Sequence, residues 1–321
     1  MDKHDGIRYI DPLTDTGFKV IFGTEGQSEE ILAAFLNELL KDQPLFEPIE
    51  SVRFINSERV RRNKKGKTII HDVMCRTIGG HRFILEMQKG KKDDFLHRSV
   101  YYSFRGVTDQ VSLSRDKKVS SYKYMPVTSV FMCDFQIREL EKKLVSHFML
   151  TDTESKRILD AGFRSSYIQL PVFNKSWEDC INKFDKWIYL LKNMYTLKEF
   201  PEVSRKDEIF SRLERVANYA NLTEEERIDY EADQRWMSEY EEELATAKRE
   251  AAEEGRAEGI AEGRVEGRAE GRAEGIAEGR VKGRAEGKWE TANNLFRLGI
   301  DIETISRATE ISIEELKARL K

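Results

Sequence analysis

Glycine recurs at every fourth position in the last third of the chain, nine times from Gly255 to Gly287. The repeat unit, Ala-Glu-Gly-Arg with variations, fills residues 253–288. Four residues of an α-helix turn about 400°, so the glycine row drifts by about 40° per repeat around the axis. Nine interior glycines cost on the order of 9 kcal/mol relative to alanine, and glutamates four residues apart repel one another. We therefore expect an isolated helix of this sequence to be weak.

A partner helix can offset this weakness, because a glycine row permits close approach and a row of arginines can face a row of glutamates. The repeat therefore favours a helical arm that associates with itself, and we expect a homo-oligomer. The alternative is a flexible charged linker.

Proline divides the chain in the same way as the repeat does. All six prolines lie before residue 202, and the remaining 120 residues contain none, which permits long uninterrupted helix there. We predict a globular domain over residues 1–222, a charged helical arm over 223–288 and a small helical element over 289–321. Within the last element, Ser312 and Glu315 form a capping box in a stretch with the rhythm of a helix-turn-helix.

The composition excludes several classes of protein. Three scattered cysteines give neither a metal-ligand spacing nor an even disulfide set, so a reducing cytoplasm is the expected location. The polar first residues are unlike a signal peptide, and no apolar run approaches the length of a membrane span. The net charge of -4 excludes a uniformly basic nucleic-acid-binding surface but permits a local basic patch.

The globular part has the pattern of an α/β layer fold with a mixed sheet. A short capped segment at 16–22 comes first, followed by a helix with Ser28 as its cap. Helices are predicted at 28–40, 94–113, 177–195 and 207–219, and strands at 49–60, 68–78, 82–88, 126–135, 144–150 and 166–173.

Three polar residues stand out on the second and third predicted strands. Asp72 interrupts a strand-forming run, and Glu86 and Gln88 lie two apart on the next strand, hence on one face. Carboxylates that converge from adjacent strands can hold a hard divalent cation such as Mg²⁺, which activates water for attack on a phosphodiester. The alternative is that Asp72 and Glu86 are solvated residues on the outer face of a half-exposed sheet.

The turn between these strands decides whether the two carboxylates can meet. A two-residue loop at Gly79-Gly80 would pair Asp72 with Met87 and place Asp72 and Glu86 on opposite faces. A three-residue loop would pair Thr77 with His81 and Asp72 with Glu86, and the paired glycines allow it. We predict this loop or an equivalent bulge.

Several motifs together resemble one known family. They are RYIDPLTDTGFKVIFGTE (8–25), ILAAFLNELL (31–40), HDVMC (71–75), FILEMQ (83–88) and FLHRSVYYS (95–103). In this order they are similar to the Rpn family of recombination-promoting nucleases, the PD-(D/E)XK nuclease family transposases. The resemblance covers residues 8–140 well and implies a restriction-endonuclease-like fold and metal-dependent DNA cleavage with Mg²⁺ or Mn²⁺.

The resemblance also implies roles for individual residues. Asp72 and Glu86 would hold the metal, and Gln88 stands where the signature has its lysine. Glu30, or its neighbour Glu29, would match an acidic helix residue of such sites; the alternative is that both only favour the helix dipole. Arg98 and Tyr102 resemble a Q-x-x-x-Y element with arginine in place of glutamine. Asp15, Phe18 and Lys19 would support the site.

Glutamine at position 88 brings no positive charge, so the charge would come from neighbouring lysines or the enzyme would be slower. A basic run before the Asp72 strand suits contacts with DNA phosphates, and a second small cluster follows Glu86. The alternative for the run is a solvated loop. The predicted DNA-binding residues are Arg59, Arg61, Arg62, Lys64, Lys65, Lys67, Lys89, Lys91 and Lys92.

Taken together, the sequence predicts a cytoplasmic, metal-dependent DNA endonuclease with an implied role in recombination or transposition. The alternative is a DNA-binding or assembly protein that keeps the nuclease fold without strong catalysis, for which the missing lysine is the best support.

Overall fold

The computed structural model describes residues 8–55, 72–90, 93–113 and 123–320. The chain divides into two compact units, Met1–Ser238 and Glu239–Lys321, and the division falls within one long helix. Each unit is described separately below.

The first unit is built on a six-stranded mixed sheet in the order β1-β2-β3-β4-β6-β5. Strands β3, β4 and β6 run parallel to one another, whereas β1, β2 and β5 pair antiparallel with their neighbours. The strands are β1 (Val52–Phe54), β2 (Val73–Thr77), β3 (Arg82–Gln88), β4 (Val127–Cys133), β5 (Val145–Thr151) and β6 (Ile158–Gln169). The predicted α/β fold with a mixed sheet is confirmed.

Helices cover both faces of this sheet. They are α1 (Asp15–Gly23), α2 (Glu29–Leu40), α3 (Phe95–Leu113), α4 (Lys183–Asn193), α5 (Glu202–Arg205) and α6 (Glu208–Ala217). On one face, the fully buried Trp187 ring of α4 packs edge-on to Phe35 of α2 and Phe210 of α6. On the other face, Phe95 of α3 packs against Phe131 of β4 and Tyr167 of β6.

The element boundaries differ from the predictions in instructive places. Strand β6 begins at Ile158 rather than at 166, and its first half pairs with β5 across register shifts on either side of Leu150. Helix α4 begins at Lys183 rather than at 177. Asn182 caps this start by accepting a hydrogen bond from the Asp185 amide. Ser28 is the N-cap residue of α2, as predicted, but its side chain makes no capping hydrogen bond because its hydroxyl donates to the Val20 carbonyl at 2.9 Å.

The second unit contains the rest of α7 (Glu224–Arg297), followed by α8 (Ile302–Thr309) and α9 (Ile313–Arg319). The glycine repeat is helical, and the same helix continues into the small C-terminal element as far as Arg297. A small core joins Ala292 to α8 and α9, and the predicted capping box of Ser312 and Glu315 is confirmed. Across the described ranges, none of the helices has both the length and the apolar character needed to span a membrane.

Candidate active site

The hairpin between β2 and β3 has the three-residue loop that the sequence predicts. Thr77 donates its amide to the His81 carbonyl at 2.9 Å, and Gly80 donates to the Thr77 carbonyl at 3.0 Å. Gly80 adopts a φ of 88°, in the left-handed region that favours glycine. The strands pair Val73 with Leu85, so the register places Asp72 opposite Glu86. The predicted irregularity is confirmed.

Asp72 and Glu86 are held together by hydrogen bonds at the point where β2 begins. The Asp72 carboxylate accepts a hydrogen bond from the Met87 amide at 2.8 Å. The Glu86 carboxylate accepts one from the Asp72 backbone, and its residue is 2% exposed. The alternative of a solvated acid on an outer face is therefore wrong for Glu86, whereas Asp72 is half-buried.

Burial dominates the electrostatics of these two carboxyls. It raises the pKa of Asp72 from 3.8 to about 7, and the negative charge of Glu86 adds to the rise. Burial likewise raises the pKa of Glu86 from 4.5 to about 8, opposed by the positive charge of Arg98. Both carboxyls thus lose solvation on folding, which disfavours their ionised forms. Added positive charge would stabilise their ionised forms.

Helix α1 brings a second pair of charged residues near the carboxyls of Asp72 and Glu86. Asp15 and Lys19 lie one turn apart and form an ion pair of 2.5 Å. The charge of Asp15 raises the pKa values of both Asp72 and Glu86, and that of Lys19 lowers both. The sequence motif suggested only that these residues support the site. Their spacing of four residues after the Thr14 cap was the signal that they share a helix face.

Helix α3 supplies Arg98 and Tyr102 to the face of the sheet that carries Glu86 and Gln88. Arg98 donates a hydrogen bond to the side-chain oxygen of Gln88, whose amide nitrogen donates to the Met87 carbonyl at 3.0 Å. Burial raises the pKa of Tyr102, and the nearby charge of Glu86 adds to the rise. The structure therefore brings Gln88, Arg98 and Tyr102 close to the carboxylates, as expected for residues that were predicted to form one site with them.

Glu30 is not brought to this cluster. Its carboxylate is 57% exposed and pairs at 3.0 Å with Arg212 of α6. Its neighbour Glu29 accepts a hydrogen bond from the Gly26 amide at 2.7 Å, at the start of α2. The charged helix residues that act on Asp72 and Glu86 come instead from α1 and α3. The structure therefore places Glu30 and Glu29 in other contacts, away from the carboxylate pair.

The predicted DNA-binding cations fall mostly beyond the described ranges. Lys89 is described, and its ammonium lies 3.6 Å from the carboxylate of Asp11. The others lie outside the described residues, namely Arg59, Arg61, Arg62, Lys64, Lys65, Lys67, Lys91 and Lys92. Their contact with DNA stays a prediction.

The donor chemistry of the cluster fits a hard divalent cation. Asp72 and Glu86 offer carboxylate oxygens, the ligands that Mg²⁺ and Mn²⁺ prefer, and a bound cation would lower their raised pKa values. Within the parts of the chain that the structure describes, three or more His, Cys, Asp or Glu side chains nowhere gather as a complete ligand set. Two protein carboxylates with water and substrate oxygens suit Mg²⁺, which keeps several waters.

A mixed sheet that pairs an aspartate with a Glu-x-Gln strand, flanked by helices that add charged groups, is the arrangement of a PD-(D/E)XK-type nuclease. Residues 12–247 match the family described as PD-(D/E)XK nuclease family transposase, and the chain belongs to this family. The match confirms the resemblance found in the motifs and indicates a nuclease- or transposase-related function. No curated protein and no solved structure matches the chain.

Proposed function

We propose that the protein is a metal-dependent DNA endonuclease that hydrolyses phosphodiester bonds with Mg²⁺ or Mn²⁺. The observation that carries the proposal is the hairpin register, which sets Asp72 opposite Glu86 and places two carboxyls with raised pKa values side by side at the start of β2. Membership in a nuclease family supports the same reaction class. A role in recombination or transposition-like DNA mobility follows from the family description alone.

Asp72 and Glu86 would hold the metal, with Asp15 close enough to add negative charge. When bound, the ion would supply an activated water and stabilise charge on the scissile phosphate. The Met87 amide fixes the orientation of the Asp72 carboxylate through their 2.8 Å hydrogen bond. Because this orientation is set by the backbone of the same hairpin, little reorganisation is needed when substrate arrives.

Gln88 and Arg98 form the second part of the proposed site. Arg98 fixes the Gln88 side chain by donating to its oxygen, and Gln88 can then bind a water or a phosphate oxygen by hydrogen bonding. Tyr102 lies one turn after Arg98 on the face of α3 that approaches Glu86. These groups orient the substrate and limit access of bulk water to the carboxylates.

Plasmid nicking with Mg²⁺ or Mn²⁺ tests the proposal. We expect wild type to cleave, and Asp72→Asn and Glu86→Gln to reduce the rate by at least about a hundredfold. Asp42→Asn, at an exposed site after α2, is the control and should cleave like wild type. Cleavage that persists in both site variants, or that is unaffected by a chelator, would remove this catalytic assignment.

One observation favours a second function, that of a DNA-binding or assembly protein with weak or no catalysis. Gln88 replaces the signature lysine, and its side chain is engaged by Arg98 and by the Met87 carbonyl. In that case wild type binds DNA without nicking it at any Mg²⁺ or Mn²⁺ concentration. The same assay, with a gel-shift measurement added, therefore separates the two functions.

The proposal includes a homo-oligomer formed through the glycine repeat of α7. A methyl group added at any of the repeat glycines would have open space within 4 Å, so each glycine leaves its helix surface accessible. Ile260, Val265, Ile276 and Val281 are also more than half exposed along this segment. Multi-angle light scattering should give an oligomer that weakens as salt increases, because opposite charges would pair across the interface. A monomer at every salt concentration would contradict it.

A cytoplasmic location completes the proposal. Cys75, Cys133 and Cys180 are all free thiols and all buried, as expected for a protein of a reducing compartment. Fractionation of cells with an antibody to the native chain would test this location.

A further inference from the structure

Helix α3 is fixed on the sheet by one face, and its opposite face is turned to solvent. A methyl group at Gly106 would lie 2.7 Å from the Ile84 side chain, so glycine permits the close approach of this helix to β3. Two turns earlier, the Ser99 hydroxyl lies 2.9 Å from the hydroxyl of Tyr167 on β6. Positions on the far side of the helix, such as 97, 101 and 104, therefore form its outer face.

This outer face is apolar where a solvated helix would be polar. Tyr101 is 52% exposed, Val100 is 47% exposed and Phe104 is 45% exposed. Single exposed apolar side chains are ordinary, but three on one side of a helix form a contiguous patch, which is typical of a binding surface. The Phe104 ring stacks on Phe163 of β6 with centroids 4.6 Å apart, so the protein fixes this ring in place and leaves it half exposed.

Guanidinium groups border the exposed stripe and connect it to the candidate active site. Arg98, three residues before Tyr101, donates a hydrogen bond to the Gln88 side chain. Arg105, one turn after Tyr101, pairs at 3.0 Å with Asp109 of the same helix. Arginines in such positions suit contacts with DNA phosphates. The stripe thus runs along a basic edge that begins at the proposed site.

A cavity of about 460 Å³ continues the stripe at the first turn of α3. Its walls include two aromatic rings, those of Phe95 and Phe135, whose centroids are 5.3 Å apart. Its lining residues include Asp93, Phe95, His97, Phe135, Arg138 and Glu139. Aromatic walls with charged donors and acceptors suit an unpaired nucleobase, which stacks by its face and forms hydrogen bonds by its edges.

We propose that the outer face of α3 and the cavity beside it bind unpaired bases of a single-stranded stretch of the DNA substrate, next to the bond that is cleaved. The inference rests on the proposed function for the identity of the substrate. Tyr101 and Phe104 lie about 4.5 Å apart along the helix axis, a spacing at which successive bases can stack on their rings. A duplex keeps its bases stacked inside and offers this face only phosphates and groove edges, so the exposed rings favour a single strand.

DNA binding without metal tests the inference, because cleavage then does not enter the measurement. Fluorescence anisotropy in chelator gives the Kd of an oligothymidine of about 12 nucleotides, of the same strand with abasic residues, and of a blunt duplex. Tyr101→Ala is compared with Tyr101→Trp, which keeps a stacking ring. Tyr195→Ala is the matched control, because Tyr195 is 42% exposed in the turn after α4.

We expect Tyr101→Ala to raise the Kd of the oligothymidine about tenfold, because it removes a ring on which a base stacks. Tyr101→Trp and Tyr195→Ala should bind it like wild type, and all the variants should bind the duplex alike. Wild type should bind the abasic strand about tenfold more weakly than the oligothymidine. This last comparison uses wild type alone and does not depend on the folding of a variant.

Three results would overturn the inference. They are equal affinity of wild type for the abasic strand and the oligothymidine, equal affinity of wild type and Tyr101→Ala for the oligothymidine, and a lower molar mass of Tyr101→Ala in light scattering with unchanged DNA binding. The last result would assign the face to contacts between copies of the chain. A wild type that binds the oligothymidine through Tyr101 but nicks no plasmid would instead overturn the proposed endonuclease function and leave the base-binding face in place.

Discussion

The two faces of the sheet differ sharply in what they bury. The face covered by α1, α2, α4 and α6 buries apolar side chains such as Leu85, Val130 and Ile168. The face under α3 buries Glu86 and a set of serines beside a smaller group of aromatic rings. Apolar burial stabilises a fold, whereas a buried carboxylate with a like-charged neighbour weakens it. The apolar face therefore contributes most of the stability, whereas the face under α3 carries the buried Glu86 carboxyl.

Replacing a large side chain on the apolar face should have the largest effect. Trp187 is fully buried between Phe35 and Phe210, so Trp187→Ala leaves a cavity and loses ring contacts. We expect the free energy of unfolding to fall by about 3–5 kcal/mol, measured by urea denaturation. Trp177→Ala, at a half-buried ring outside this stack, is the control and should cost clearly less. Equal losses for the two variants would contradict the central position of Trp187 in the apolar core.

The carboxylate face should make stability fall as pH rises. The folded protein keeps protons on Asp72 and Glu86 up to pH about 7 and about 8, whereas the unfolded chain releases them near 3.8 and 4.5. Stability from these groups is therefore full below about pH 4 and is lost as the pH rises through 8. In chelator, we expect a loss of about 2 kcal/mol between pH 5 and 9 from this pair, after allowance for relaxation.

Glu86→Gln should flatten this pH dependence, because the substituted amide does not titrate. Added Mn²⁺ should restore the stability of wild type at pH 9 but not that of the variant. Urea denaturation at each pH gives the slope. A wild-type slope that equals the slope of Glu86→Gln would show that Glu86 is not a strained carboxylate.

The local features of both faces were accessible from sequence. The two adjacent glycines allowed two loops, and the requirement that Asp72 meet Glu86 selected the three-residue loop that the pairing of the strands shows, while the capping box at Ser312 follows from residue types alone. Such features depend on neighbours within a few residues. Local patterns therefore predicted the hairpin and the capping box.

Contacts between distant segments were not accessible in the same way. The first-turn acids of α2 match a helix-dipole pattern and a site pattern equally well, and only the packing of α6 shows that Glu30 pairs with Arg212. The position of α1 depends on Gly23 meeting Val73 and on Asp233, more than 200 residues away along the chain. Such contacts depend on how all the helices and strands pack in the hydrophobic core.

Substitution of the hairpin glycines tests the three-residue loop that sets the register of β2 and β3, and a smaller loss of stability is expected. Gly80 has a positive φ, and an added methyl group would lie 2.7 Å from the Met125 side chain. Gly80→Ala should therefore cost about 1–2 kcal/mol, measured by thermal or urea denaturation. Gly79→Ala, whose methyl group would meet its nearest atom at 3.8 Å, is the matched control and should be nearly neutral. A cost that is the same at both positions would argue against the observed loop.

The smallest effect is expected at a serine under α3. The Ser129 hydroxyl is fully buried and, within the described ranges, has no hydrogen-bond partner, so Ser129→Ala should leave stability unchanged or raise it by up to about 1 kcal/mol. Ser103 is the control, since its hydroxyl donates to the Ser99 carbonyl at 3.0 Å and lies 3.2 Å from Ser165. Ser103→Ala should cost about 1 kcal/mol because it leaves those partners unpaired. Denaturation midpoints that fall equally for both variants would mean that the Ser129 hydroxyl contributes to stability through a hydrogen bond.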